Sequence, residues 1–280
     1  AFGWDLPSLL DQVDRRLAEG CTHVRVQSGV PGLDTVYGVS RETVYEPAGR
    51  AARPVEERWD AERYIATVPG VLGAVREHVG DGIGLLHDAH HRLTPNQAAR
   101  LARAVEPVGL YWLEDVTPAE DQEALALVRS HTTTPLAIGE VFNTVWDCQR
   151  IIEERLTDYI RCAVVHAGGI SHARKIFALA EIHGVGAAPH GPSDISPIGL
   201  AASIHLGMAT HNAAVQEYMG HPEPAHEAFP HAWTFSDGHL DPGDAPGLGV
   251  ELDEKVLLAH PYDAAHLPVA RALDGTLTDW

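Results

Sequence analysis

Asp88, Glu114 and Glu140 each close an apolar run, within IGLLHDAH, LYWLEDV and PLAIGEVF, and successive members stand 26 residues apart. Runs this short and this apolar read as buried strands. One carboxylate at a strand end can be a helix cap or a solvated loop charge. Three at an equal repeat bring like charges around one point, which is costly unless a cation neutralises them. Hard oxygen donors, with room left for substrate and water, suit Mg²⁺ better than zinc.

These carboxylates need elements to carry them. In LPSLLDQVDRRLAEG, Leu9, Leu10, Val13 and Leu17 share a helical face and Gly20 supplies a stop. THVRVQSG reads as the next strand, and the alternation recurs along the chain: YIRCAVVHAGG and its helix, VGAAPHGP and its helix, then AAVQEYMG. Strands separated by helix-like segments indicate parallel β/α units, because parallel strands need a long crossover. The spacing decides between a closed barrel and an open sheet. Glu140 to Arg161 is 21 residues and Asp194 to Glu217 is 23, so polar groups recur once per unit at strand C-terminal ends, where barrels carry their sites. The expected organisation is a barrel over 1–218, with an insertion at 29–65 over its mouth, and a C-terminal surface segment over 219–280 that returns toward that mouth.

Each of the remaining polar candidates has a plainer reading. Tyr37 can be a loop aromatic packed on the surface, and Glu217 a salt-bridge partner for a nearby basic residue. His90 shares a strand end with His87 and His91 in a chain with 18 histidines; alternation puts it on the face of Asp88 and turns His87 away. A buried strand arginine needs a partner, which favours a specific role for Arg161. His190 and Asp194 lie in the strand-end loop APHGPSD, and His166 precedes a glycine pair in VVHAGG.

Taken together, HDAHH, YWLEDVTP and AIGEVF resemble the metal-ligand strands of the enolase superfamily. The resemblance implies a TIM-like (β/α)7β barrel with Mg²⁺ held by Asp88, Glu114 and Glu140. It also implies an N-terminal capping domain and a first barrel strand, which are expected to be missing from this chain. Where the superfamily usually has Lys-x-Lys, this chain has Arg25-Val26-Gln27, so a lysine base there is excluded. Arg25, Tyr37 twelve residues later, and Asp88-Ala89-His90 are similar to the mannonate dehydratase group. Membership would make Tyr37, assisted by Arg25, the base that removes the proton α to a carboxylate, and His90 the acid that protonates the departing hydroxyl. A free phenol titrates near pH ~10, so a base of this kind needs an adjacent cation. The same resemblance assigns substrate binding to Arg161, His190, Asp194, Glu217 and the terminal Trp280. The reaction implied is dehydration of D-mannonate or D-gluconate to 2-keto-3-deoxy-D-gluconate, in a homo-oligomer. The alternatives are a racemase or another acid-sugar dehydratase of the superfamily, a divalent-metal sugar isomerase, and a binding protein that senses sugar acids.

Composition removes other classes. With 20 basic and 39 acidic residues, the net charge of −19 repels a phosphate backbone, so nucleic acid is not an expected partner. No apolar run reaches the roughly 18 residues of a membrane span. The three cysteines, Cys21, Cys148 and Cys162, show no paired spacing, which fits a reducing cytoplasm.

Overall fold

The computed structural model describes residues 1–42 and 53–278, so residues 43–52 of the expected insertion, and Trp280, lie outside the described residues. Two compact units are present, one of Ala1–Leu136 with the chain from Asp263 onward, the other of Ala137–Tyr262.

The first unit opens with β1 (Phe2–Gly3), α1 (Leu6–Ala18), β2 (His23–Arg25) and β3 (Gln27–Ser28). Helix α1 starts at a capping box between Asp5 and Ser8 and buries Leu9 and Val13. It stops as expected: Gly20 has φ 87° and the Cys21 N–H donates to the Arg16 carbonyl. Then follow β4 (Glu56–Trp59), α2 (Ala61–Val79), β5 (Gly84–Asp88), α3 (Pro95–Ala104), β6 (Trp112–Glu114) and α4 (Gln122–Arg129). Strands β2, β5 and β6 run parallel, with Arg25 opposite Leu86 and Asp88 opposite Glu114. That register sets the two carboxylates side by side on neighbouring strands. Beneath them Val24, Leu85 and Leu113 are buried, with Leu101 of α3 and Leu125 of α4; this apolar burial holds the strand ends in place.

In the second unit, β7 (Leu136–Ile138), α5 (Val145–Glu153), β8 (Tyr159–Ile160), α6 (Ile170–His183), β9 (Gly186–Ala187) and α7 (Pro197–Met208) repeat the pattern. Ala137 lies opposite Tyr159, and Ile160 opposite Ala187, again parallel. The strand expected in AAVQEYMG is reduced to one bridge, Ala187 with Ala213. Pro189 has no N–H to extend a ladder, and the Gln216 side chain donates to the carbonyls of Pro189 and Glu217 instead.

Beyond residue 219 the chain is more structured than its Pro, Gly and His content suggests. It forms α8 (Glu223–Ala228), the antiparallel pair β10 (Thr234–Ser236) and β11 (His239–Asp241), and α9 (Glu254–Ala259). Trp233 packs with Leu200, Ala201 and Ile204 of α7 in a small core of its own, and His231 stacks flat on the indole at 3.7 Å between ring centroids. The last segment belongs to the first unit, where β12 (Val269–Ala272) pairs with β13 (Leu277–Thr278) and runs parallel to β4.

One arginine ties the end of α2 to the turns around it. Arg76 Nε donates to the Val108 carbonyl at 2.9 Å, Nη1 to Gly80 and Ile83 at 2.7 and 2.8 Å, and Nη2 to Gly109 at 3.0 Å. Arg76→Met keeps the stem and removes every donor, so unfolding free energy should fall by about 2–4 kcal/mol. An unshifted urea midpoint would mean that water replaces these bonds without loss.

Candidate active site

In the first unit the strand ends carry Arg25, Asp88 and Glu114. Asp88 and Glu114 are both buried, and the Arg25 Nη1 lies 3.3 Å from Asp88 Oδ2. Asp88 Oδ1 accepts the His90 N–H at 2.8 Å, Gln27 donates to the Asp88 carbonyl at 2.9 Å, and Trp112 Nε1 donates to Glu114 Oε2 at 3.0 Å. Two carboxylates are therefore fixed in orientation side by side, with an arginine paired to Asp88. The donor set fits a hard divalent cation, because neighbouring buried carboxylates are stabilised by one.

Strand β5 ends at Asp88, and the chain leaves strand geometry at once. His90 and His91 have φ 54° and 61°, and Asp115, just past β6, has φ 42°. Tyr37 has φ 51°. Left-handed backbone is unfavourable for these residue types, and four of the six non-glycine cases among the described residues fall at this one place. Alternation along β5 therefore does not position His90; the left-handed turn does.

Tyr37 owes its place to a tight hairpin turn. Val36 and Val39 exchange backbone hydrogen bonds of 3.0 and 2.9 Å, and Tyr37 and Gly38 between them both have positive φ. Two-residue turns of this hand match strand twist and normally hold Asn-Gly. Tyrosine at the first position is disfavoured, yet it is buried, with its ring centroid 4.2 Å from that of His90. The reading of Tyr37 as a surface aromatic does not hold.

Arg92 and Asp115, also near this point, carry no signal in the sequence pattern. Arg92 lies over the Tyr37 ring, with Cζ 5.3 Å from its centroid, and 5.1 Å from that of Trp59. His91 Nε2 is 3.5 Å from Asp115 Oδ2, and its Nδ1 lies 3.1 Å from the Thr117 carbonyl, so His91 and Asp115 form a second pair of ligand-type side chains. His87 points away from Asp88, as expected. Its Nδ1 donates to the Val26 carbonyl at 2.8 Å and Nε2 accepts from Tyr64 Oη at 2.6 Å. Burial pushes its pKa down to about 4.

In the second unit, Arg161 is buried and donates from Nη2 to Glu217 Oε2 at 2.7 Å and from Nη1 to the Ala188 carbonyl at 3.2 Å. The same Glu217 oxygen accepts the Gly191 N–H at 3.0 Å and lies 3.8 Å from His190 Nε2, which is 3.1 Å from Glu140 Oε2. Burial alone would lower the His190 pKa, but Glu217 and Glu140 outweigh it and hold it above the ordinary histidine value. His166 Nδ1 approaches the Glu140 carbonyl at 3.3 Å. Glu140, Arg161, His190 and Glu217 are thus brought together, whereas Asp194 is exposed on the loop beyond them.

The chain is similar to known proteins along its whole length. The family described as enolase C-terminal domain-like matches residues 8–256. A D-galactonate dehydratase family member from Streptomyces bingchenggensis is 62% identical over all of this chain and 68% of its own length. A D-mannonate dehydratase from Rhizorhabdus wittichii is 48% identical, with 70% of its length covered. Among solved structures, an enolase from Pantoea ananatis with bound D-gluconate and Mg superposes with a TM-score of 0.88 at 32% identity, over 99% of this chain and 69% of that one. No helix of the described residues is long and apolar enough to cross a membrane.

Two tests follow from the geometry. Arg161→Met removes the guanidinium paired with Glu217 in a largely buried setting and should cost about 3–5 kcal/mol of stability in urea unfolding. Adding Glu217→Gln should recover part of that, since the amide oxygen can still accept from Gly191. His87 should remain neutral, with its proton on Nδ1, in ¹⁵N NMR spectra at pH 5.5. Its folded pKa lies below the unfolded one, so the unfolded chain binds the extra proton, and this residue's contribution to stability should decline as pH falls from about 6.5 to about 4. A protonated His87 ring at pH 5.5 would contradict the assignment.

Proposed function

Because the chain belongs to the enolase C-terminal domain-like family, an α/β barrel fold, we propose that it is a Mg²⁺-dependent acid-sugar dehydratase of the mannonate dehydratase group. It takes D-mannonate or D-gluconate to 2-keto-3-deoxy-D-gluconate. The observation that carries this reading is the burial of Tyr37 in a left-handed turn against His90, beside the strand that ends in Asp88. A phenol and an imidazole in ring contact provide a base and an acid within one substrate's reach. The named dehydratase relatives, and the gluconate and Mg of the Pantoea ananatis structure, supply the substrate class.

In this proposal Asp88, Glu114 and Glu140 hold the cation. When bound, Mg²⁺ supplies the positive charge that stabilises negative charge developing on the substrate carboxylate. Tyr37, as phenolate, accepts the C2 proton. Electrons from the broken C2–H bond form the C2–C3 double bond, and the 3-hydroxyl departs as water with a proton from His90. The enol then ketonises. Arg25 spans the two tasks, since it already touches Asp88 and its charge favours a nearby anion. Arg161 is too buried to meet substrate freely, so it orients Glu217, which with His190 receives the substrate's polar groups. Trp280 and Asp194 complete the substrate contacts of this proposal.

Incubating the protein and Mg²⁺ with a panel of acid sugars, and measuring 2-keto acid, tests the reading; tight binding without turnover would favour a sensor instead. Glu114→Gln should weaken Mg²⁺ binding and turnover together, because an amide is a poorer ligand. Asp115→Asn should leave Mg²⁺ affinity nearly unchanged, and the opposite ranking would move the ligand set to His91 and Asp115. Tyr37→Phe should cut turnover by at least ~10²-fold with little change in Mg²⁺ affinity. Undiminished C2 proton exchange with deuterated solvent in this variant would assign the base elsewhere.

A further inference from the structure

The base of the proposed reaction needs a cation, and Arg25 is already engaged with Asp88. A second cation lies over the face of the phenol. Arg92 follows His91 in the loop after β5 and lies over two aromatic rings, with Cζ 5.3 Å from the Tyr37 centroid and 5.1 Å from that of Trp59. From Trp59 the stack continues: Trp59 lies against Tyr64 at 4.9 Å, and Tyr64 is bonded to His87 on β5. The guanidinium is thereby packed on groups anchored to a core strand as well as on Tyr37.

Its hydrogen bonding is unusual for an arginine that serves packing alone. Arg92 Nε and Nη2 are buried with no hydrogen-bond partner among the described residues. An arginine carries five N–H donors, and leaving buried ones unused is costly. Burial is the largest influence on Arg92 and opposes its charge, while Tyr64, Glu57, Tyr37 and Asp88 act in the other direction. Ionisation of Tyr37 would change that balance, because phenolate charge spreads into the ring and makes its face more negative. A cation over that face then gains more attraction than it has to the neutral phenol.

We propose that Arg92 is a positioning residue for Tyr37, holding the phenol in its left-handed turn and favouring its anionic form through the ring face. The inference rests on the reading of Tyr37 as the base for its catalytic meaning, but the coupling between the two side chains stands apart from any substrate. Among the groups facing Tyr37 are Arg92 and His90 from the loop after β5 and Phe2 from β1, of which Phe2 does not titrate. Arg25 and Asp88 lie at the neighbouring strand ends, and the charge of Glu57 on β4 also acts on Arg92.

The test is a titration of the full-length protein with Mg²⁺, labelled with ¹³C at tyrosine Cζ, the Tyr37 signal being assigned by its loss in Tyr37→Phe. Arg92→Gln, which keeps a polar side chain but removes charge, should lower the Tyr37 ionisation constant by at least about tenfold. Arg92→Lys should restore most of that shift, since a cation is returned. An unchanged phenol in Arg92→Gln would overturn the proposal. Should that variant fail to fold, the parent protein decides the matter: the Arg92 guanidinium signals should move with the midpoint of the Tyr37 phenol, and this movement should vanish in Tyr37→Phe. Guanidinium signals that ignore the phenol overturn the proposal equally. The C2 exchange measurement on Tyr37→Phe reports separately on the base assignment, so exchange that survives there sinks the proposed mechanism while leaving the titration to judge Arg92.

Discussion

Two buried carboxylates held in register on neighbouring strands, Asp88 opposite Glu114, are the constraint around which the first unit is arranged. Apolar strands put them there; the hydrophobic burial of Leu85 and Leu113 cannot be had without also fixing the polar residues that end the same strands. Like charges so placed must be compensated, and the compensation is visible in layers. Arg25 meets Asp88, Trp112 donates to Glu114, and Gln27 and the His90 backbone secure the rest of Asp88. In the proposed function a hard cation adds to this compensation, and the same positive charge serves acid-sugar dehydration.

The second unit meets a related problem by different means. There a buried arginine is the group that must be satisfied, and Glu217 answers it while also binding Gly191 N–H and approaching His190. One carboxylate oxygen thus organises a guanidinium, a backbone amide and an imidazole. Gly139, at φ 135°, lets the chain pass close to the Arg161 backbone just before Glu140; a Cβ there would sit 3.0 Å from Arg161 N. The acid at the end of β7 and the arginine at the end of β8 are therefore packed as neighbours from the backbone up.

How much of this could be read from the sequence depends on how local the cause is. Apolar runs ending in Asp88, Glu114, Glu140 and Arg161 announce both strand and strand end, because a buried strand cannot tolerate those groups earlier. The need of Arg161 for a partner was legible, but not which one, since Glu217 lies 56 residues away in the chain. Arg92 was not legible at all. Strand alternation stops at Asp88, and the left-handed turn at His90 and His91 redirects everything after it; no periodicity encodes that turn. The tail departs from its composition for a related reason: Trp233 buries itself against α7, and one aromatic in a Pro- and Gly-rich stretch outweighs the residues around it.

With Tyr37 as the base of the proposed reaction, the hairpin that holds it sets folding and chemistry at odds. Glycine or asparagine would occupy its left-handed position with less strain than tyrosine does. A library of variants at this position, selected for thermal resistance alone, would drift away from the phenol, and one selected for growth on the substrate would keep it. The side chain at residue 37 thereby records which pressure a given descendant of this sequence has been under.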